Sequence, residues 1–318
     1  MKRTLQNTVK IMAPVIVGLL LGSCSKNNIY IYGDEENPSP DNPSGTKALV
    51  TFNASIEDRN MLTRAMAPME KGIQNRLYAF NTTNGNPSQA SPAAEGLYIT
   101  SSPGILIGTD GYKMYLDNGV YDFYAVSDNF STYPPTFTGG KSEPLFNGID
   151  YLWWHSPQHD VNSNQVNIPI IYLHTCTQIV IRITAGDSIE MKQLVAALIT
   201  PSEPGSSMDL ATGAIPPSTT YGKADKMGIN GFTAQYIMLP LRTTVPLSLT
   251  LDIEMKGQSN YRAYSVEIPV PDGELKAGNS YLFEAVIEEN SVIFSNVYVK
   301  KWTEVDEEGN PLYPVQEN

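Results

Sequence analysis

Three histidines, His155, His159 and His174, and two cysteines, Cys24 and Cys176, carry most of the metal-binding and nucleophilic potential of this 318-residue sequence. His155 and His159 stand four residues apart, a spacing that would let two imidazoles on one helix face share a zinc ion. Pro157 lies between them and removes the helix, because proline lacks the backbone donor and clashes with the preceding turn. With only Asp160 close by, the pair reads as ordinary loop histidines, and no metal is expected. Cys176 lies beside strand-like residues with only His174 near it, so it reads as a buried, inert thiol. Asp306-Glu307-Glu308-Gly309 is acidic but lacks the alternating ligands of a calcium loop. G-x-S-x-G, P-loop, G-x-G-x-x-G and C-x-x-C motifs do not occur. No catalytic residue and no cofactor are therefore expected, and the chain does not read as an enzyme. Tyr151, Trp153 and Trp154 form an aromatic cluster that could stack on a sugar ring or fill a core.

Cys24 stands in a different context. Lys2, Arg3 and Lys10 precede an apolar run from Ile11 to Leu21 that is interrupted by Pro14 and Gly18. Such a run is too short for the ~20 residues of a membrane-spanning helix and has the layout of an export signal. It ends in Leu21-Gly22-Ser23-Cys24, which resembles a bacterial lipobox. The Cys24 thiol would take a diacylglycerol, and the small residues before it would admit the signal peptidase. Two or three acyl chains give stable anchoring in a membrane. Cleavage before Cys24 would leave 295 residues and, with three cations gone, take the formal charge from −12 to −15. Cys176 would then have no partner for an intramolecular disulfide. Stability has to come from packed apolar surface.

The elements that hold these residues follow from composition and period. Apolar residues make up 41% and charged ones 17%, enough to bury cores of ordinary size, and the length favours two domains. The acidic balance excludes a nucleic-acid binder, which needs a concentrated Lys/Arg surface. Residues 24–47 are rich in Pro, Asn, Ser and acid and read as an extended tether after the signal at 1–23. From Ala48 the period becomes two: Ala48, Val50, Phe52, Ala54 and Ile56 share one face, which predicts a half-buried strand. Asp117-Asn118-Gly119 between Tyr112–Leu116 and Val120–Val126 predicts a hairpin. Val166–Leu173, Gln178–Ile183, Leu247–Met255, Tyr281–Ile287 and Ser291–Trp302 are further strand candidates, and Met191–Ala197 could form a short helix. Residues 127–164 read as long surface loops. Short strands with Gly/Pro/Asn turns predict an all-β chain of antiparallel sandwiches, 48–165 and 166–318.

Several of these segments resemble the Mfa-like fimbrillin family. Val50-Thr51-Phe52 through Leu62-Thr63-Arg64-Ala65 is similar to the start of its first domain. Gly119-Val120-Tyr121-Asp122-Phe123-Tyr124-Ala125 is similar to its G-x-Y-x-F-x-A strand. His174 through Ile181 resembles its H-x-x-x-x-I-x-I strand. Leu275-Lys276-Ala277-Gly278-Asn279-Ser280-Tyr281, with Val299-Lys300-Lys301-Trp302, resembles its closing L-x-A-G-x-x-Y and V-x-x-W pattern. The resemblance implies two tandem transthyretin-like β-sandwiches and a subunit of a surface pilus, contributing to adhesion and exported as a lipoprotein to the outer membrane. It further implies that a trypsin-like protease cuts after an arginine following the first strand. Arg64 is the favoured site, with Arg59 and Arg76 as competitors. The displaced strand would carry Val50, Phe52, Ala54 and Ile56, read as an edge strand, and other fimbrillin subunits would be the partners. The acidic tail, with Pro311 and Pro314, suits a central donor strand poorly. A different class stays open: a surface glycan-binding lipoprotein with Tyr151, Trp153 and Trp154 as its platform.

Overall fold

Alternating apolar residues become strands wherever a second layer is present to cover them. The computed structural model describes residues 47–57, 67–187 and 189–302. The first half contains β1 (Lys47–Ile56), β2 (Ala67–Pro68), β3 (Gln74–Asn81), β4 (Ala94–Ser102), β5 (Ile105–Gly108), β6 (Met114–Asp117) and β7 (Gly119–Ser127). These are followed by β8 (Phe137–Thr138), β9 (Lys141–Ser142), β10 (Leu152–Val161) and β11 (Gln165–His174). The second half adds β12 (Thr177–Ala185), β13 (Met191–Ile199), β14 (Asp225–Lys226), β15 (Gly228–Asn230), β16 (Thr233–Met238) and β17 (Leu241–Arg242). It closes with β18 (Leu247–Met255), β19 (Tyr261–Ile268), β20 (Glu274–Leu275), β21 (Asn279–Ile287) and β22 (Val292–Lys301). The chain is all-β: the helical turns among the described residues are three short 3-10 segments.

In the first half the sheet order is β11-β10-β7-β3-β4-β5-β1, and β1 pairs back onto β11, closing a seven-stranded barrel. The β1–β11 joint is parallel, whereas the other joints of the ring are antiparallel. Inside lies one core, built around Phe52, Leu77, Tyr98, Met114, Phe123 and Tyr172. In the second half a five-stranded sheet, β15-β16-β12-β21-β22, and a four-stranded sheet, β14-β13-β18-β19, enclose a single core. Leu247, Leu249, Leu251 and Ile253 supply the alternating inner face of β18.

The structure corrects several sequence expectations. β1 is an internal strand, because alternation distinguishes the two faces of a strand and not its two edges. Asp117-Asn118-Gly119 does not make a hairpin: β6 pairs with β1, and β7 pairs with β3 and β10. Neither Asn118 nor Gly119 takes the positive φ that the tight hairpin turn requires. Met191–Ala197 is strand, not helix, since β18 pairs with it along nearly its whole length. Residues 127–164 contain β10, a barrel strand hidden from sequence reading by Pro157 and by a bulge between Ser156 and His159.

In its pairing the first half closes into a barrel through the β1–β11 ladder. β11 (Gln165–His174) completes the barrel, and β12 (Thr177–Ala185) is the first strand of the second half. The described residues of both halves belong to one compact unit. A third core explains this: Tyr78 and Tyr124 on the barrel's outer face pack with Leu210, Ile237, Leu239 and Trp302 from the second half.

Candidate functional site

β1 is where local pattern and barrel closure meet. Its inner residues Ala48, Val50, Phe52, Ala54 and Ile56 are each at most 3% exposed. Along one side, β11 runs parallel in unbroken register from Leu49↔Gln165 to Ile56↔Tyr172. Along the other, three short strands share the length: β6 opposite Lys47–Val50, β5 opposite Phe52–Asn53 and β2 opposite Ser55–Ile56. Phe52 is the anchor. Its ring meets Tyr98 edge-on at 5.3 Å and Phe123 at 6.0 Å.

Between β5 and β2 the backbone closes a small ring of hydrogen bonds around Ala54. The Ala54 N–H donates to the Gly104 carbonyl at 2.8 Å, Met69 N–H donates to the Ala54 carbonyl at 3.1 Å, and Gly104 N–H donates to the Met69 carbonyl at 2.8 Å. Gly104 has φ +77°, and a Cβ there would lie 3.3 Å from the Ala54 carbonyl oxygen. Pro103-Gly104, with Gly104 at positive φ, has the residues a type II turn demands, a signal by which the sequence marks this support. On the outer face, Thr51 Oγ1 donates to the Val166 carbonyl and Ser55 Oγ to the Ile170 carbonyl, at 3.4 and 3.2 Å.

Burying Val50, Phe52 and Ile56 contributes roughly 5–9 kcal/mol gross at about 1.5–3 kcal/mol per large side chain, before ordering entropy. β1 is therefore held mainly by contacts that need no covalent link to the barrel.

The other sequence candidates are dispersed. Arg76 lies within β3, paired on both sides, and its guanidinium meets Glu95 at 2.8 Å, so it is not an exposed loop arginine. Cys24, Arg59 and Arg64 lie outside the described residues. The aromatic platform does not form. Successive residues of β10 face opposite sides, which sends Trp154 into the barrel core and Trp153 into the junction with Tyr151. Trp153 Nε1 donates to the Leu210 carbonyl at 2.8 Å, and burial pushes the Tyr151 phenol up to about 12.

His155 stacks on Tyr124 at 4.4 Å, and His159 Nε2 sits 2.6 Å from Ser156 Oγ. No group of three or more potential metal ligands occurs among the described residues. Cys176 is fully buried, which pushes its thiol far above the usual range. His174 and Trp302, each singled out by a sequence motif, stack on one another at 4.1 Å, with His174 Nδ1 2.8 Å from Asp150 Oδ1. No described helix is long and apolar enough to cross a membrane.

None of the curated proteins matches the chain in sequence. Solved structures do match. A candidate cell adhesion protein from Bacteroides uniformis shares 19% identity at a TM-score of 0.59, covering 80% of this chain and 98% of its own. Another, from Bacteroides ovatus, shares 14% identity at 0.60, covering 83% and 100%. A third, from Bacteroides fragilis, shares 16% at 0.57, covering 81% and 99%. At these identities the likeness establishes the fold alone. The fimbrillin-like family pattern matches residues 63–302, about three quarters of the sequence. The chain therefore belongs to the fimbrillin-like family, structural proteins of fimbriae and adhesion rather than enzymes.

Proposed function

We propose that this protein is a subunit of a surface fimbria that assembles by exchange of β1. In this reading the chain is exported as a lipoprotein and anchored in the outer membrane through Cys24. A trypsin-like protease then cuts after Arg64, β1 leaves, and a strand from another fimbrillin subunit fills the groove. Attached to a filament, the subunit contributes to adhesion. The tandem transthyretin-like arrangement implied by the resemblance is the fold in which we place both halves, with the β1–β11 ladder joining the sheets of the first.

One observation carries the proposal. β1 buries its whole inner face between strands that belong to the rest of the chain, and its end at Ile56 leads within two residues into the 58–66 segment holding Arg59 and Arg64. A cut there severs the covalent link yet leaves the contacts. While the link is intact, the high effective concentration of β1 excludes any outside strand. Once it is gone, an incoming strand competes on equal terms, and its backbone can satisfy the donors and acceptors along β11. Repeated head to tail, the contact does not close on itself and builds a filament.

Limited trypsin digestion of the folded chain, with N-terminal sequencing and unboiled gels, tests this. The expected product begins at Ala65 and forms ladders, while Arg64→Ala stays monomeric. A cut protein that remains monomeric with other family subunits added refutes strand exchange. Separately, Cys24→Ala should lose palmitate labelling, and continued labelling refutes the anchor.

A further inference from the structure

Trp302 is unlike the strand that it follows. Among the described residues β22 pairs with β21 alone, at the edge of the five-stranded sheet. No residue from Glu288 to Lys301 is buried, whereas Trp302 is 4% exposed. Its ring lies against the barrel half. It stacks on His174, the last residue of β11, at 4.1 Å with the two planes 11° apart. His174 Nδ1 in turn sits 2.8 Å from Asp150 Oδ1, and both of those side chains are nearly dehydrated. The backbone ties the same corner together: Trp302 N–H donates to the Gly278 carbonyl at 2.9 Å, and Gly278 N–H donates to the Cys176 carbonyl at 2.7 Å. Gly278 has φ +69°, and a Cβ there would lie 3.1 Å from the His174 carbonyl oxygen, so glycine lets these chain segments approach one another closely.

Topology gives this corner a mechanical role. Thr177↔Asn279 and Asn279↔Lys301 are successive pairs across β12, β21 and β22. The chain therefore enters the second half and leaves β22 at the same corner, about 10 Å apart for strands spaced about 4.8 Å. A pull on the chain after Trp302 meets the β21–β22 ladder at its open end, where antiparallel pairs give way one at a time. A pull across the first half meets a different geometry. β1 and β11 run parallel, so tension before Lys47 and tension at His174 draw the two strands in opposite directions along their length, and the pairs from Leu49↔Gln165 to Ile56↔Tyr172 resist together.

We infer that the stack of Trp302 on His174, braced by Asp150, is a mechanical latch: it passes tension from the end of β22 directly into β11 and keeps the second half from being unzipped. Drawing Trp302 out exposes an aromatic surface of about 150–250 Å² in one step. It also uncovers the buried His174–Asp150 pair, whose polar atoms are matched to each other in the closed junction. Peeling β22 alone has no such threshold, because none of its own side chains is buried. Tension is the load that a structural protein of fimbriae and adhesion has to carry. The latch does not depend on strand exchange or on cleavage at Arg64.

Single-molecule pulling of the full chain, held through its two ends, tests the latch. The unaltered chain should show no extension step before its main rupture. Trp302→Ala should add an early, low-force step that frees about 35 Å, the ten residues of β22 at about 3.5 Å each, and it should appear at least tenfold more often than in the unaltered chain. Trp302→Phe keeps a ring to stack on His174 and should suppress most of that step. Tyr298→Ala removes a 44%-exposed ring from the same strand and should add none. Should Trp302→Ala fail to fold by circular dichroism, Asp150→Asn, which loosens His174 and leaves the indole in place, should raise the frequency of the same step severalfold. An early step already present in the unaltered chain overturns the latch. So does a Trp302→Ala chain, or in its place an Asp150→Asn chain, that only lowers the force of the main rupture, or an equal effect of Tyr298→Ala.

Discussion

Replacing Phe52 with alanine is the most direct perturbation of β1. The ring is 2% exposed, lies between Leu106 and Ile168 on the flanking strands, and makes edge contacts with Tyr98 and Phe123. Truncating a buried phenylalanine costs about 3–5 kcal/mol, the lost transfer energy plus the cavity left behind. The two aromatic contacts place this site toward the upper part of that range. Against a typical total of about 5–15 kcal/mol, the loss is large. At about 2–4 °C per kcal/mol for a unit of this size, the midpoint should fall by roughly 6–20 °C. Urea unfolding followed by tryptophan fluorescence reads the effect, since Trp154 reports from the barrel core. Ile107→Ala, on the outer face, serves as the comparison and should cost less than about 1 kcal/mol. If Phe52→Ala costs no more than Ile107→Ala, β1 is not anchored through its inner face and the reasoning about its release fails.

Two further outcomes follow from the same geometry. Gly104→Ala should destabilise the barrel by about 1–2 kcal/mol, because its φ of +77° disfavours an L side chain and the new Cβ crowds Ala54. Amide exchange at Ala54 should then quicken, and unchanged exchange would show that the turn does not hold β1. Burial depresses the protonation of His155 below its usual value near 6.5, although Asp122 acts in the opposite direction. As pH falls below about 6.5 the unfolded chain takes up the proton first, so stability should decline until the buried imidazole itself protonates. Urea midpoints between pH 8 and 5 should show a shallower decline for His155→Gln, and parallel declines would refute this assignment.

Period-two alternation was enough to locate β1, β18 and β21, because a residue's side of a strand depends only on its parity. The inner set Val50, Phe52, Ala54 and Ile56 was legible for the same reason. The absence of catalytic motifs and the order of the strand motifs likewise pointed to a structural family before any fold was in view. Pairing was not legible. Whether Asn118-Gly119 turns a strand back on itself, or passes it to a different neighbour, depends on which strands compete for β6. β10 escaped notice because Pro157 and the bulge beside it break the alternation that identifies a strand. Tyr151, Trp153 and Trp154 look like one cluster in sequence, yet the pleat of β10 divides them between two cores. The parallel ladder from Leu49↔Gln165 to Ile56↔Tyr172 joins residues more than a hundred positions apart. Local sequence determines which face of β1 is apolar, but its neighbours are chosen by the closure of the whole barrel, where non-local hydrogen bonds and shared burial outweigh any local preference.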